Sequence, residues 1–355
     1  MKKQIYWLIF IVLFLVGCSG NDNDATPEDN QDIPVNVGVN NNHIAENLHV
    51  PWAITKKETT FYISERHGSI VSINTETGDA IRLPVQLQKK LYTGGEGGFL
   101  GLELIPNTNL EAYAYHTYEE QGKVKNRVIR IEKQDNSWEE VDVLLEGIPG
   151  ADIHNGGRIK IGPDQKLYVT AGDAANPDSA QNINVLSGKI LRMELDGSIP
   201  ADNPFQDSYI YSYGHRNPQG FTWTEDGQLY ATEHGQSAHD EINRIEPGRN
   251  YGWPVIQGDE QQENMETPLY HTNGNTWAPS GIAYDNGSLY IATLRGEALR
   301  KFDLQTNEAT ILIDGNGRIR DVLIDNGEIY FITNNTDGRG NPAKNDDRLL
   351  KSVME

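Results

Sequence analysis

Cysteine is nearly absent: among 355 residues only Cys18 carries a thiol. No intrachain disulfide can form, and neither a zinc–cysteine cluster nor a catalytic thiol is available, so the fold must stand on its packed core. Cationic side chains are also scarce, with 30 Lys and Arg against 51 Asp and Glu and a formal net charge of -21. A surface of that sign repels nucleic acid and anionic headgroups, which argues against DNA or RNA as a partner. Missing too is any sustained 3.6-residue apolar period of ordinary helix length beyond the N-terminal segment, and this speaks against an α/β fold. Length decides little, since 355 residues suit two average domains or one large all-β domain.

The N-terminus carries a more specific signal. Lys2 and Lys3 precede an uncharged apolar run of twelve residues, 5–16. That run is too short to span a bilayer comfortably and suits the h-region of a secretory signal. Leu15-Val16-Gly17-Cys18 is similar to a bacterial lipobox, in which the chain is cut before the cysteine and the cysteine receives a diacylglycerol. The expectation is a lipoprotein signal peptide over residues 1–17, with Cys18 lipidated and the mature protein extracytoplasmic, anchored to the bacterial cell membrane by its acyl chains. Loss of residues 1–17 removes Lys2 and Lys3 and moves the charge from -21 to -23, 28 cationic side chains against 51 acidic ones. Residues 18–42, rich in Asn, Asp, Pro and Gly, read as a flexible tether. Asn21-Asp22-Asn23-Asp24 within it lacks the glycine that an EF-hand loop places sixth, so it is not read as a calcium loop. The folded domain is expected over residues 43–355.

What recurs below the tether is a strand built on an aromatic: residues 61–64 (FYIS), 112–115 (AYAY), 167–170 (LYVT), 229–232 (LYAT), 289–292 (LYIA) and 329–332 (IYFI). A second candidate strand follows each, at 69–73, 127–131, 189–194, 241–245, 298–302 and 348–353, and most are preceded by another, as at 101–105, 157–161, 220–224, 280–284 and 321–324. Successive copies lie 40 to 62 residues apart, too variable for a tight solenoid. Strand–turn–strand cores with variable loops suit the blades of a β-propeller. The predicted fold is all-β, a single six-bladed β-propeller, with a pair of β-sandwiches as the alternative. In a propeller the loops at one end of the strands converge on the axis, so distant residues can share one pocket.

Three stretches depart from what a plain blade needs. In Asp152-Ile153-His154-Asn155-Gly156-Gly157-Arg158, a histidine stands before a hairpin that ends in Gly172-Asp173. A histidine serves as a general base when a carboxylate orients its ring, and Asp173 or Asp152 could do so; a structural turn explains the same residues. The paired glycines would leave room for a flat ligand. In Tyr213-Gly214-His215-Arg216-Asn217-Pro218, the proline fixes the backbone behind Arg216, which suits a guanidinium held toward an anion or, equally, one paired with a surface carboxylate. In Gly317-Arg318-Ile319-Arg320-Asp321, two arginines on one side of a strand repel unless an anionic ligand or carboxylates lie beside them. Gly94-Gly95-Glu96-Gly97-Gly98 has neither the spacing nor the lysine of a phosphate loop.

From about residue 49 to the C-terminus the sequence resembles the soluble quinoprotein glucose dehydrogenases and the related aldose sugar dehydrogenases. The resemblance rests on motifs that occur in order: Gly95 to Leu102, His154 to Arg158, Gly172-Asp173, Gly188 to Arg192, Asp196 to Phe205, Tyr213 to Gly220, Glu233-His234-Gly235, Asp240 to Asn243, Asn250-Tyr251-Gly252-Trp253-Pro254 and Arg318 to Asp321. It implies a six-bladed propeller that uses pyrroloquinoline quinone (PQQ) and calcium to oxidise the C1 hydroxyl of an aldose to a lactone, passing electrons to an extracytoplasmic acceptor. On this resemblance His154 is the base, Asp173 its orienting carboxylate, and Arg216 the cation beside the quinone oxygen. Asn217, Arg318 and Arg320 are implied to hold PQQ, and Gly235 and Gln236 to bind calcium. Glu96 stands where those enzymes carry a glutamine, and Leu294 and Arg295 fall where they carry a lysine. These departures point to the aldose sugar dehydrogenase branch. Two alternatives stay open: a non-catalytic sugar-binding propeller lipoprotein and a calcium-dependent lactonase, the latter giving the paired arginines no anionic partner.

Overall fold

The computed structural model describes residues 34–40 and 42–354. Residues 1–17, expected to be a signal peptide, Cys18 and the part of the expected tether up to residue 33 lie outside the described residues. Five β-sheets surround a common axis, and the eight-stranded one is two antiparallel blades joined edge to edge, so the protein is a six-bladed β-propeller. Blade 1 comprises Pro51–Lys57, Thr60–Glu65, Ser69–Asn74 and Ala80–Gln86; blade 2 comprises Phe99–Leu104, Glu111–Glu120, Lys123–Lys133 and Trp138–Pro149. Their outer strands join in parallel through Trp138 against Val85 and Glu139 against Gln86. Blade 3 runs Ile159–Ile161, Leu167–Ala171, Lys189–Met193, Ile210–Tyr213, and blade 4 runs Pro218–Trp223, Leu229–Glu233, Glu241–Ile245, Tyr270–His271. Blade 5 holds Pro279–Asp285, Ser288–Thr293, Ala298–Asp303 and Glu308–Ile313.

Blade 6 closes the ring. Ile319–Asp325, Glu328–Thr333 and Leu349–Val353 come from the C-terminal end, and His43–Glu46 from the N-terminal end pairs with them through Ala45 and Leu349. Asn36–Asn40 adds a fifth strand. The sheet therefore begins inside the stretch 18–42 read from sequence as tether, because the strand at 43–46 offers a free edge that residues 36–40 cover.

The six aromatic strands are the second strands of the six blades. Both faces of each are covered by neighbouring blades, so Leu167–Ala171 is buried at all five positions and shows no alternation. Aromatic rings seam the blades: Phe61 meets Tyr330 at 4.7 Å between blades 1 and 6, Tyr168 meets Trp223 at 5.1 Å between blades 3 and 4, and Tyr270 meets Phe302 at 5.3 Å between blades 4 and 5. Such pairs add to the area they bury, about 1 kcal/mol each. Asn286-Gly287 and Asn326-Gly327 supply the consecutive positive φ angles (44° and 75°, 50° and 78°) of two-residue hairpin turns. In every blade the first strand starts, and the second strand ends, at the same end of the axis.

Candidate active site

That end holds the residues singled out in sequence. A cavity of about 470 Å³ is lined by Glu96, His154, Arg216, Gly235, Gln236, Arg295 and Arg318, among others. A deeper pocket adjoins it, sharing Glu96, His234, Leu294 and Arg339 and adding Trp52, Gln219 and Arg320. Every candidate lines this composite site or touches a residue that does.

His154 precedes the inner strand of blade 3 and adopts φ +60°. Its backbone N–H donates to Glu96 Oε2 at 3.0 Å, which ties the turn to the glycine-rich loop before blade 2. Its Nδ1–H donates to Asp173 Oδ1 at 2.7 Å, leaving Nε2 as the acceptor. Asp173 is fully buried, also accepts from Ala175 N at 2.9 Å, and takes the Trp253 indole N–H on Oδ2 at 2.8 Å. Asp152, the other carboxylate that could have oriented the ring, is engaged by the Tyr92 hydroxyl instead. Gly156 lines the deeper pocket, and close packing excludes a side chain at either glycine beside His154. A Cβ on Gly156 would stand 2.6 Å from Thr170 O, and one on Gly157 would stand 2.9 Å from Leu100 Cδ1.

Arg216 sits before the inner strand of blade 4. Its Nη1 donates to His234 O at 3.1 Å, its guanidinium lies 5.3 Å from the Trp253 ring centre, and its Nε is buried without a partner. Its neighbour His215 is structural: Nδ1 bonds Glu233 at 2.9 Å, Nε2 bonds Ser212 at 2.8 Å, and the ring stacks on Tyr251. Glu233 in turn accepts the backbone N–H of Arg216. Asn217 accepts from Gly156 N at 3.1 Å and leaves its buried Nδ2 unpartnered.

Arg318 and Arg320 come together at the start of blade 6, with different partners. Arg318 pairs with Asp337 at 2.8 Å and donates to Asn334 O at 3.1 Å. Arg320 meets only neutral acceptors, Gln219 Oε1 at 2.8 Å and Asn334 Oδ1 at 2.9 Å. Burial, with Arg318 and Arg66 nearby and Asp337 opposing, pushes its guanidinium down to about 9. Arg295 stands exposed at the rim. Glu96 also accepts from Arg339 at 2.9 Å. Against the desolvation that raises it, this bond, His234 and the His154 N–H bring its carboxyl down to about 2.

The charge count is decisive. Six arginines line the composite site (66, 216, 295, 318, 320, 339) against three carboxylates, Glu96, Asp240 and Asp337. In a chain of net charge -21, so concentrated a positive surplus, with unpartnered donors on Arg216 and Asn217, suits a ligand bearing several negative groups.

Residues 48–349 match the family described as Glucose / Sorbosone dehydrogenase. The chain belongs to that family. Among its relatives is the quinoprotein glucose dehydrogenase B of Acinetobacter calcoaceticus, 34% identical over 254 residues, covering 61% of this chain and 52% of the relative. The chain thus spans about half the length of that protein. The aldose sugar dehydrogenase YliI of Escherichia coli is 27% identical over 351 residues, covering 86% and 91% of the two chains. The structure of the PQQ-bound aldose sugar dehydrogenase of Streptomyces coelicolor superposes with TM-score 0.82 at 35% identity, covering 90% of this chain and 97% of that one.

This glucose/sorbosone dehydrogenase family member also carries site residues to which the sequence assigned no role: Arg66, Asp337 and Arg339, and, quoted only within motifs, His234 and Trp253. A positional signal exists for two of them. Arg66 and His234 each stand four residues after the tyrosine of an aromatic strand (Tyr62 and Tyr230), where the second strand reaches the axis, as do Leu294 and Asn334 after Tyr290 and Tyr330. Arg339 and Asp337 lie in the long connection before the last strand, and Trp253 reaches Asp173 across 80 residues, so no local pattern marks them.

For a metal the donor set is narrow. Among the described residues no group of three His, Cys, Asp or Glu could hold an ion. Asp240 is spent on the N–H groups of Gly235, Trp277 and Ala278 at 2.9, 2.5 and 2.8 Å. A calcium ion at Gly235 and Gln236 would rely on oxygens of that loop and on oxygens of a bound ligand, an all-oxygen preference typical of this cation.

Proposed function

We propose that the protein is a PQQ- and calcium-dependent dehydrogenase that oxidises the C1 hydroxyl of aldose sugars to lactones. Its family and its relatives named glucose and aldose sugar dehydrogenase make it an oxidoreductase acting on a sugar CH–OH group. One observation carries the cofactor assignment: the surplus of arginine around unpartnered buried donors, which fits a planar tricarboxylate. A neutral lactone would leave those charges unanswered, so the hydrolase reading is weaker.

The residues divide the work. Arg318, Arg320 and Asn217 would hold the carboxylates and ring oxygens of PQQ, with Arg295 at the rim. When bound, PQQ supplies the two-electron acceptor for the hydride leaving C1. His154, its Nδ1–H fixed on Asp173, takes the anomeric hydroxyl proton on Nε2 as the C1 carbonyl forms. Arg216 faces the same cavity and places fixed positive charge where an oxygen becomes anionic. Electrons then leave to an acceptor outside the cytoplasm, with the chain tethered through lipidated Cys18.

Arg320→Met tests the cofactor assignment directly. Calorimetric titration with PQQ is expected to show affinity weakened by roughly thirtyfold or more, the cost of losing a desolvated charge contact. Unchanged PQQ affinity in the variant would overturn the role of Arg320, and no PQQ binding by the parent protein would favour the non-catalytic sugar-binding alternative.

A further inference from the structure

The inner strands run from the active-site end to the far end of the axis, and the far end holds a second cavity. It measures about 340 Å³ and is lined by the later residues of those strands, among them Lys56, Glu103, Lys160, Thr222, Tyr284 and Asp321. Arg158 separates the two sites. From blade 3 its Nε donates to Gln219 O on blade 4 at 2.9 Å and its Nη1 to Asp321 Oδ2 on blade 6 at 2.6 Å. Its guanidinium lies 4.3 Å from the ring centre of Trp52 on blade 1. Lys160, two residues on, also crosses the axis, and its Nζ donates to Ile282 O on blade 5 at 3.3 Å.

The polar groups around this cavity are unevenly satisfied. Asp321 accepts from Arg158 and from the N–H groups of Ile54 and Val322, both at 3.0 Å. Lys56 at the rim pairs with Asp325. By contrast Arg158 Nη2 is buried without a partner. Among the described residues Lys160 meets no carboxylate within salt-bridge distance, and Glu103 accepts a single long bond from Ile161 N at 3.4 Å. Leaving a buried donor such as Arg158 Nη2 unmatched costs free energy that a ligand can recover. Two cationic donors side by side ask for an acceptor with two oxygens, and the walls beyond them, Leu102, Ile159, Val322 and Leu323, are apolar.

We infer that this distal axial cavity is a binding site for a small monocarboxylate, held between Lys160 Nζ and Arg158 Nη2 with its carbon chain against the apolar wall. The groups facing Glu103 are Lys160 and Arg158 from blade 3 and Asp321 from blade 6. Burial raises the Glu103 carboxyl to about 7, against the pull of Lys160 and Arg158. An incoming anion favours the neutral carboxyl, so binding takes up a proton and weakens as the pH rises through that value.

The probe is sodium acetate, titrated calorimetrically into the protein supplied with PQQ and calcium, at about pH 6 and about pH 8. Saturable binding is expected, tighter at the lower pH. Lys160→Met should weaken it by roughly thirtyfold or more, and Arg318→Ala, at the other end of the axis, should leave it unchanged. Glu103→Gln keeps the shape of the site and should bind acetate equally at both pH values. Three results would overturn the inference: no saturable binding to the parent protein, undiminished binding to Lys160→Met, or loss on Arg318→Ala instead.

Discussion

His154 is fixed at three points: its φ of +60°, its N–H on Glu96 and its ring on Asp173. The third holds only if Asp173 is itself held, and the Trp253 indole does that at 2.8 Å. Trp253→Phe keeps an aromatic face for Arg216 and removes the N–H together with the second ring of the indole. A hydrogen bond to a charged group contributes about 1.5–3 kcal/mol, so kcat is expected to fall about tenfold or more, with the sugar KM and the unfolding temperature nearly unchanged. A matching rise in KM at constant kcat would show that Trp253 shapes the pocket and does not position the dyad. His154 and Asp173 were legible because one hairpin carries both ends of the pair. Trp253 was visible only as part of a family motif, since nothing in a stretch reading Asn-Tyr-Gly-Trp-Pro says which distant carboxylate its indole meets.

At the scale of the strand, the aromatic repeats marked all six second strands, because burial on both faces demands continuous apolar sequence. The outer strands were not legible: Glu308–Ile313 has one face in water, and Tyr270–His271 spans two residues. Ring closure by His43–Glu46 was equally hidden, being a pairing between the two ends of the chain. Polar groups inside strands also carry consequences. His116, fully buried in Glu111–Glu120, accepts from Arg127 Nε on its Nε2 at 2.8 Å, and burial with the Arg127 charge pushes its pKa down to about 3 from 6.5. The folded histidine stays neutral while the unfolded one protonates below 6.5, so its contribution is present above that pH and lost as the pH falls toward 3. His116→Gln retains an acceptor for Arg127 and does not titrate. Denaturant unfolding should show the stability of the parent protein relative to this variant dropping by about 2 kcal/mol between about pH 7 and about pH 5. A difference constant over that range would contradict the buried neutral state.

Over the whole molecule, an acidic chain gathers six arginines at one end of its axis, a contrast that draws anionic ligands to that mouth and away from the rest of the surface. The proposed tether adds a location to that polarity. Cys18→Ser is expected to end labelling of the protein by radioactive palmitate in cells, with dehydrogenase activity retained; labelling that survives the substitution would refute lipidation at Cys18. The central claim, that this propeller oxidises aldoses through bound PQQ with His154 as base, is tested most directly by one optical titration. PQQ and calcium are added to the protein without oxygen, and the absorption spectrum is recorded before and after an aldose such as glucose. The account predicts a sugar-dependent shift to the spectrum of reduced PQQ in the parent protein and none in His154→Ala, although PQQ stays bound to both. A spectrum unchanged by any of a broad aldose panel in the PQQ-loaded parent protein, or an equal shift in His154→Ala, would contradict it.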